Sequence, residues 1–252
     1  MFDTHCHIYK TETKNYKDII KKCLNKNINL IINSVNIKTS KEVIKLSKKY
    51  NNVYASIGLN YDEVENINEK DFIKLERLIN KNNIIAIGEI GLDYYWTKDN
   101  KDKQKYIFEK QLKLAEEYNL PVIIHARNSI QDVYDILKKY NLKGSMHCFQ
   151  GSLEMAKKFI SLGFKIGIDG PITYKNNKKQ IELINNLDLK DILVETDSPY
   201  LTPEPNRGKK NNPTNLIYII NKIAEIKKET PEKVIEETTK NTKEIFNIWI
   251  KN

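Results

Sequence analysis

The chain contains four histidines, His5, His7, His125 and His147. Each stands at the downstream end of a short apolar run that reads as a buried strand, and two of them form the pair His5-Cys6-His7. Histidine placed for solubility would sit in polar loops. Neutral imidazole is the commonest protein ligand for zinc-like ions and works only where several side chains converge. Two acids share the pattern. Glu89 interrupts the apolar run from Ile84 to Leu92, and Asp197 lies in Val194-Glu195-Thr196-Asp197-Ser198-Pro199-Tyr200. A carboxylate inside such a run carries a heavy desolvation cost unless it meets a cation, and no lysine or arginine lies in the neighbouring strand runs at its depth. A satisfied strand-end histidine pair and an aspartate capping the next loop are the plainer readings of these residues taken singly. Taken together they point to a metal centre.

The elements that must position them alternate regularly. Apolar runs end Phe2–His7, Leu30–Val35, Val53–Leu59, Ile84–Leu92, Val122–Ala126, Gly144–Phe149, Phe164–Asp169 and Ile192–Asp197. Segments of helical period separate them, clearest over Lys101–Tyr118 and present over Ser40–Tyr50, Ile130–Tyr140 and Leu153–Leu162. The strands are nearly continuous hydrophobic runs, as in parallel sheets covered on both faces. Eight such repeats of about 30 residues predict an α/β fold of the (β/α)8 TIM-barrel type. Extra C-terminal helices follow, over Asn215–Lys227 and Pro231–Ile250. The active site of such a barrel lies at the C-terminal ends of its strands, and all six candidate ligands fall on that rim. Strand alternation turns His5 and His7 to one face and Cys6 to the other. By the same rule Asp3 and Glu195 lie one step deeper on the inward faces, where they would orient histidine ligands.

Composition bounds the rest. The 252 residues, without a linker-like stretch, predict a single domain over 1–252. The net charge of +9 invites a nucleic-acid reading, but all but three of the 42 basic side chains are lysines, and most of those read as solvated helix face. Arg77, Arg127 and Arg207 are more informative, because a guanidinium fork grips phosphate in two places. No apolar run approaches the ~20 residues of a membrane span. The opening Met1-Phe2-Asp3-Thr4-His5 lacks the basic-then-apolar order of a signal peptide, and three cysteines are odd in number for a disulfide framework. A cytoplasmic protein without membrane association is expected, and no obligate protein partner is evident.

At the level of motifs the chain resembles the TatD family of metal-dependent deoxyribonucleases, within the amidohydrolase-like barrel group. The resemblance is carried in unbroken order by Asp3-Thr4-His5-Cys6-His7, Gly88-Glu89-Ile90-Gly91-Leu92-Asp93-Tyr94-Tyr95, Gln111-Leu112 with Leu114-Ala115, and His125-Ala126-Arg127. It continues through His147-Cys148-Phe149-Gln150-Gly151, Glu195-Thr196-Asp197-Ser198-Pro199-Tyr200-Leu201-Thr202-Pro203, and Arg207-Gly208 with Asn212-Pro213. It implies a phosphodiesterase acting on DNA, chiefly a 3′ to 5′ exonuclease on single strands, using water activated by two divalent ions. His5 and His7 would hold one ion, His125 and His147 a second, and Glu89 would bridge them. Asp197 would complete the first site and serve as general base. The ligand set admits Mg²⁺, Mn²⁺ or Zn²⁺, nitrogen favouring the last two.

Arg127, two residues past His125, is placed to grip phosphate, with a salt bridge to a rim acid as the alternative. Arg207, in the loop after the eighth strand, would clamp the nucleic-acid strand. Tyr94, Tyr95 and Trp96 would stack on bases or pack the loop. One departure stands out: where the family shows a His-Pro pair, this chain has Gly58-Leu59-Asn60-Tyr61. Asn60 can donate a hydrogen bond to phosphate but cannot carry a proton. Two other readings use the same residues. One is an ester or amide hydrolase such as a D-aminoacyl-tRNA deacylase; the other is a metal-stabilised nucleic-acid-binding protein without catalysis.

Overall fold

The computed structural model describes residues 1–95 and 99–248, except for the side chains of 62 and 63. Its eight strands are β1 (Phe2–Cys6), β2 (Asn29–Asn33), β3 (Val53–Ile57), β4 (Ala86–Asp93), β5 (Val122–Arg127), β6 (Gly144–Met146), β7 (Phe164–Ile168) and β8 (Ile192–Val194). They form one sheet in sequence order, and every pairing along it is parallel. The ends of the sheet meet just past β8, where the Asp197 amide donates to the His5 carbonyl at 2.9 Å and the His7 amide to the Ser198 carbonyl at 2.7 Å. The result is the expected TIM barrel. Among the described residues no helix is long and apolar enough to cross a membrane.

The connecting helices are α1 (Tyr16–Asn25), α2 (Ile37–Lys49), α3 (Glu69–Lys81), α4 (Lys101–Glu117), α5 (Ile130–Leu137), α6 (Leu153–Ser161), α7 (Lys178–Asn186), α8 (Leu216–Lys227) and α9 (Pro231–Ile245). Helix α8 is the eighth barrel helix, and α9 is the addition. Thr230 caps α9 through the Lys233 amide, with Pro231 in the first turn where a missing N–H costs nothing. The chain beyond α9 returns to the barrel floor, where Phe246 and Ile248 join Phe2, Ile31, Ala86, Ile123 and Leu193 in a separate apolar cluster. The predicted helix end at Ile250 lies outside the described residues.

Two buried glutamines on α4 fix the rim. Gln111 donates to the Leu59 carbonyl and accepts from its amide, both at 2.8 Å. Gln104 does the same for Asp93, at 2.9 and 2.8 Å. Each supplies a loop with the ladder bonds that its own backbone lacks.

Close strand approach requires glycine at Gly144, where a Cβ would stand 1.9 Å from the Val122 carbonyl oxygen, and at Gly91. Gly91 has φ +144, and a Cβ there would stand 2.0 Å from the His125 carbonyl oxygen. Gly91→Ala is expected to cost about 2–3 kcal/mol, a melting temperature lower by roughly 6–10 °C; calorimetry showing no change would contradict the close packing of β4 on β5.

Candidate active site

The sheet departs from regular pairing where the predicted ligands stand. In β1, Asp3 pairs with Leu30 but Cys6 with Ile32, so one extra residue is accommodated between them. In β4, Ile87 pairs with Val122 but Ile90 with Ile124, an irregularity that spans Glu89. Such bulges re-aim side chains locally. Leu30 and Ile32 pack in the layer beneath the helices, so Asp3 and Cys6, paired with them, face outward. Thr4, His5 and His7 serve the interior. This corrects the expectation for Asp3. Its carboxyl accepts from the Thr196 amide (2.9 Å) and hydroxyl (2.6 Å), joining β1 to the chain after β8, and it meets no histidine ring.

Four donor atoms converge above the barrel. His5 Nε2 lies 3.1 Å from His7 Nε2, 3.8 Å from Glu89 Oε2 and 3.6 Å from Asp197 Oδ1. His7 Nε2 lies 3.6 Å from Glu89 Oε2 and 3.7 Å from Asp197 Oδ1. A tetrahedral ion with bonds of about 2.0–2.1 Å separates its ligands by about 3.3–3.4 Å. The four side chains therefore fit a divalent cation with small adjustments. His7 Nδ1 faces the Asn33 carbonyl at 3.0 Å, which leaves Nε2 for the ligand position. His5 is held by stacking, its ring 3.5 Å from that of His147.

His147 and His125 flank this cluster differently. His147 Nδ1 faces Glu195 Oε1 at 2.8 Å, and Nε2 points towards Asp197 Oδ1 at 3.9 Å. Glu195 is fully buried and also accepts from the Cys148 amide at 2.6 Å and the Thr4 hydroxyl at 3.2 Å. His125 stands between two carboxylates, with Glu89 Oε1 3.0 Å from Nδ1 and Asp93 Oδ2 3.0 Å from Nε2. The His125 and His147 ring centres are 6.1 Å apart. Among the described residues, three-ligand clusters form from His5, Glu89 and His147 and from His5, His7 and Asp197; His125 belongs to neither.

The electrostatics divide the four histidines, lowering His5 and His7 and raising His125 and His147 beside their carboxylates. Burial, with His147 nearby, holds His5 well below the ordinary histidine range, and burial also lowers His7, so both imidazoles are neutral as ligands must be. Burial would raise Glu89, but the hydrogen bond from His125 and the histidine charges hold it well below the usual carboxylate range. Burial lifts Asp197 well above that range; His147 opposes the shift, while Glu89, Asp169 and Glu195 add to it. For His147, burial is outweighed by Glu195, Asp197 and Glu89, which raise the imidazole to about 10. A buried acid crowded by other carboxylates is relieved by a cation, whose charge reverses the local preference for protons.

The cluster forms the floor of an open cavity of about 800 Å³, with Asn60, Arg127 and Lys179 among its walls. The sequence profile of the family described as TatD related DNase matches residues 2–247. The chain belongs to the TatD family. It is 36% identical over 256 residues to the metal-dependent hydrolase YabD of Bacillus subtilis (strain 168), covering 98% of this chain and 99% of that protein. With the metal-dependent hydrolase MJ1582 of Methanocaldococcus jannaschii the identity is 35% over 247 residues, covering 97% and 96%. The fold matches the crystal structure of YJJV, a TatD homolog from Escherichia coli K12, with a TM-score of 0.91 at 28% identity, covering 99% of this chain and 98% of that one. The protein is a metal-dependent hydrolase of the TatD DNase family, and its His, Glu and Asp side chains form candidate metal-binding groups.

Within this TatD-family cavity, Asn60 and Arg127 line the walls together with Glu89, His7, His125, His147 and Asp197. Arg127 Nε also pairs with Asp93 Oδ2 at 2.8 Å, so the salt bridge to a rim acid and the cavity position coexist. Tyr94 is a correction. It is buried, its hydroxyl donates to Asp132 at 2.9 Å, and Lys101 lies over its ring, so it does not reach the cavity. Tyr95 is exposed and carries the Arg127 guanidinium 4.6 Å from its ring centre. Trp96 lies outside the described residues. Arg207 lines a neighbouring hollow.

Two residues escaped the sequence reading. Asp93 joins His125 to Arg127, and its position four residues past Glu89 in an alternating strand was a usable signal. Tyr61 stacks on His125 with ring centres 4.3 Å apart; no pattern in the loop sequence pointed to it.

Proposed function

We propose that the protein is a deoxyribonuclease that removes nucleotides from the 3′ ends of single-stranded DNA, within a single catalytic domain. The carrying observation is the convergence of His5, His7, Glu89 and Asp197 on the floor of a cavity that Arg127 helps to wall. Two divalent ions, one at His5, His7, Glu89 and Asp197 and one at Glu89, His125 and His147, would lower the pKa of the attacking water and offset charge on phosphate. Arg127, its Nε held by Asp93, orients a phosphate by its forked N–H groups. Asp197 takes the proton from the attacking water, since its carboxylate lines the open cavity beside the imidazoles of His5, His7 and His147. Asn60 donates a hydrogen bond to a phosphate oxygen.

The test is direct comparison of end-labelled single-stranded DNA with a D-aminoacyl-tRNA, in Mg²⁺, Mn²⁺ or Zn²⁺ and after chelation. Loss of nucleotides from the 3′ end, abolished by chelator, is expected; deacylation with intact DNA would overturn the reading in favour of an ester hydrolase. Asn60→His, which restores the side chain found elsewhere in the family, is expected to keep or raise nuclease activity. A large loss in a folded protein would show that the loop after β3 is placed differently against substrate.

A further inference from the structure

We propose that a second binding site for single-stranded polynucleotide runs outward from the metal-ligand cavity, from Lys179 at its edge to Tyr174 and Arg207. The proposal rests on the DNase reading and gives the substrate strand its path. The cavity above the cluster shares Gln150, Gly151 and Lys179 with a smaller hollow of about 260 Å³. That hollow shares Asn177 with a third, of about 450 Å³, walled by Tyr174, Lys175 and Arg207. Through these shared lining residues the three hollows adjoin one another, and together they mark the path of a trough from the cavity above the cluster across the loops after β6, β7 and β8.

Its chemistry suits a phosphate chain with bases. Lys175, Lys179 and Arg207 line the two outer hollows, and among the described residues Glu204 is the one carboxylate there. Lys179 donates to the Gln150 carbonyl at 3.1 Å, so its ammonium stands at the junction of the inner cavity and the trough. At the far end the Tyr174 ring is pinned by its hydroxyl, which donates to the Thr202 carbonyl at 3.1 Å. The Arg207 guanidinium lies 4.1 Å from the centre of that ring. An arginine spread on an aromatic face presents a flat, cationic outer surface, on which a base can stack while phosphate meets the charge. A mononucleotide or an aminoacyl ester would leave this platform unused. A strand of several nucleotides reaches it.

The test measures binding of phosphorothioate oligodeoxynucleotides, from dinucleotides to about 12 nucleotides, by fluorescence anisotropy at several salt concentrations. The metal-loaded wild type is expected to bind more tightly as length increases. Lys179→Gln and Arg207→Gln, both at exposed positions, should flatten that rise, each reducing the salt slope by about 0.7. Tyr174→Leu should weaken the longer probes without changing the slope. Variants that match wild type in length dependence and slope, in an enzyme that still digests DNA, would overturn the trough and leave the DNase reading intact. An enzyme that neither binds nor digests any oligonucleotide overturns both.

Discussion

Asp197→Asn is expected to lower the turnover of single-stranded DNA by about a thousandfold, the middle of the range for loss of a general acid or base. Asparagine keeps the shape of the side chain but accepts no proton. The geometry makes this residue difficult to replace. Asp197 takes a positive φ of 52°, a conformation that aspartate tolerates better than most residues. Its amide is bound to the His5 carbonyl, and its Oδ1 lies 3.6–3.9 Å from three imidazole nitrogens. Because Asp197 also completes the donor set, metal content must be measured beside the rate. A fall in kcat with ions still bound assigns the loss to proton transfer; wild-type turnover would remove Asp197 from the mechanism.

Glu195→Gln should weaken metal binding by about 10- to 100-fold, the usual effect of removing a carboxylate that orients a ligand histidine. Glu195 lies at no point where it could itself touch substrate. It fixes His147 through Nδ1 and so aims Nε2 at the cluster, and it gathers the Cys148 amide and the Thr4 hydroxyl around the same group. Gln keeps the size of the side chain but gives up its charge, and one of its two termini is a donor facing groups that themselves donate. Metal titration by calorimetry on the variant is the measurement. Unchanged affinity would mean that His147 is held by packing against His5 alone. Neighbouring glycine limits other substitutions here: a Cβ on Gly167 would stand 2.7 Å from both Glu195 carboxylate oxygens.

Much of the barrel could be read from periodicity. Continuous apolar runs marked all eight strands, and those over Phe2, Val53, Val122, Gly144, Phe164 and Ile192 begin at the observed residues. The helices over Tyr16–Asn25, Glu69–Lys81 and Lys178–Asn186 were passed over, although Ile19, Ile20 and Cys23, Phe72, Leu75 and Ile79, and Leu183 and Ile184 stand at helical spacing among the lysines and asparagines. The candidate ligand residues were legible by type and position, since a buried glutamate amid isoleucines demands a partner. Their facing was harder to derive. Strict alternation fails in β1 and β4, where the register shifts, so Asp3 turned outward and Thr4 took the inward place. Tyr94 was misplaced for another reason. A tyrosine beside a site can equally spend its hydroxyl on a helix acid, and Asp132 is 38 residues away in sequence.

The join between the first strand and the chain after the eighth has a consequence for biosynthesis. His5 and His7 leave the ribosome early, yet Asp197 and the Ser198 carbonyl that completes the ring arrive some 190 residues later. An unfinished chain holds two imidazoles without their aspartate and cannot assemble the cage. The donor group of His5, His7 and Asp197 is thereby tied to a finished barrel, and an ion that binds only the folded form would add its binding free energy to the seam itself. The site is complete only when the chain has closed its own barrel.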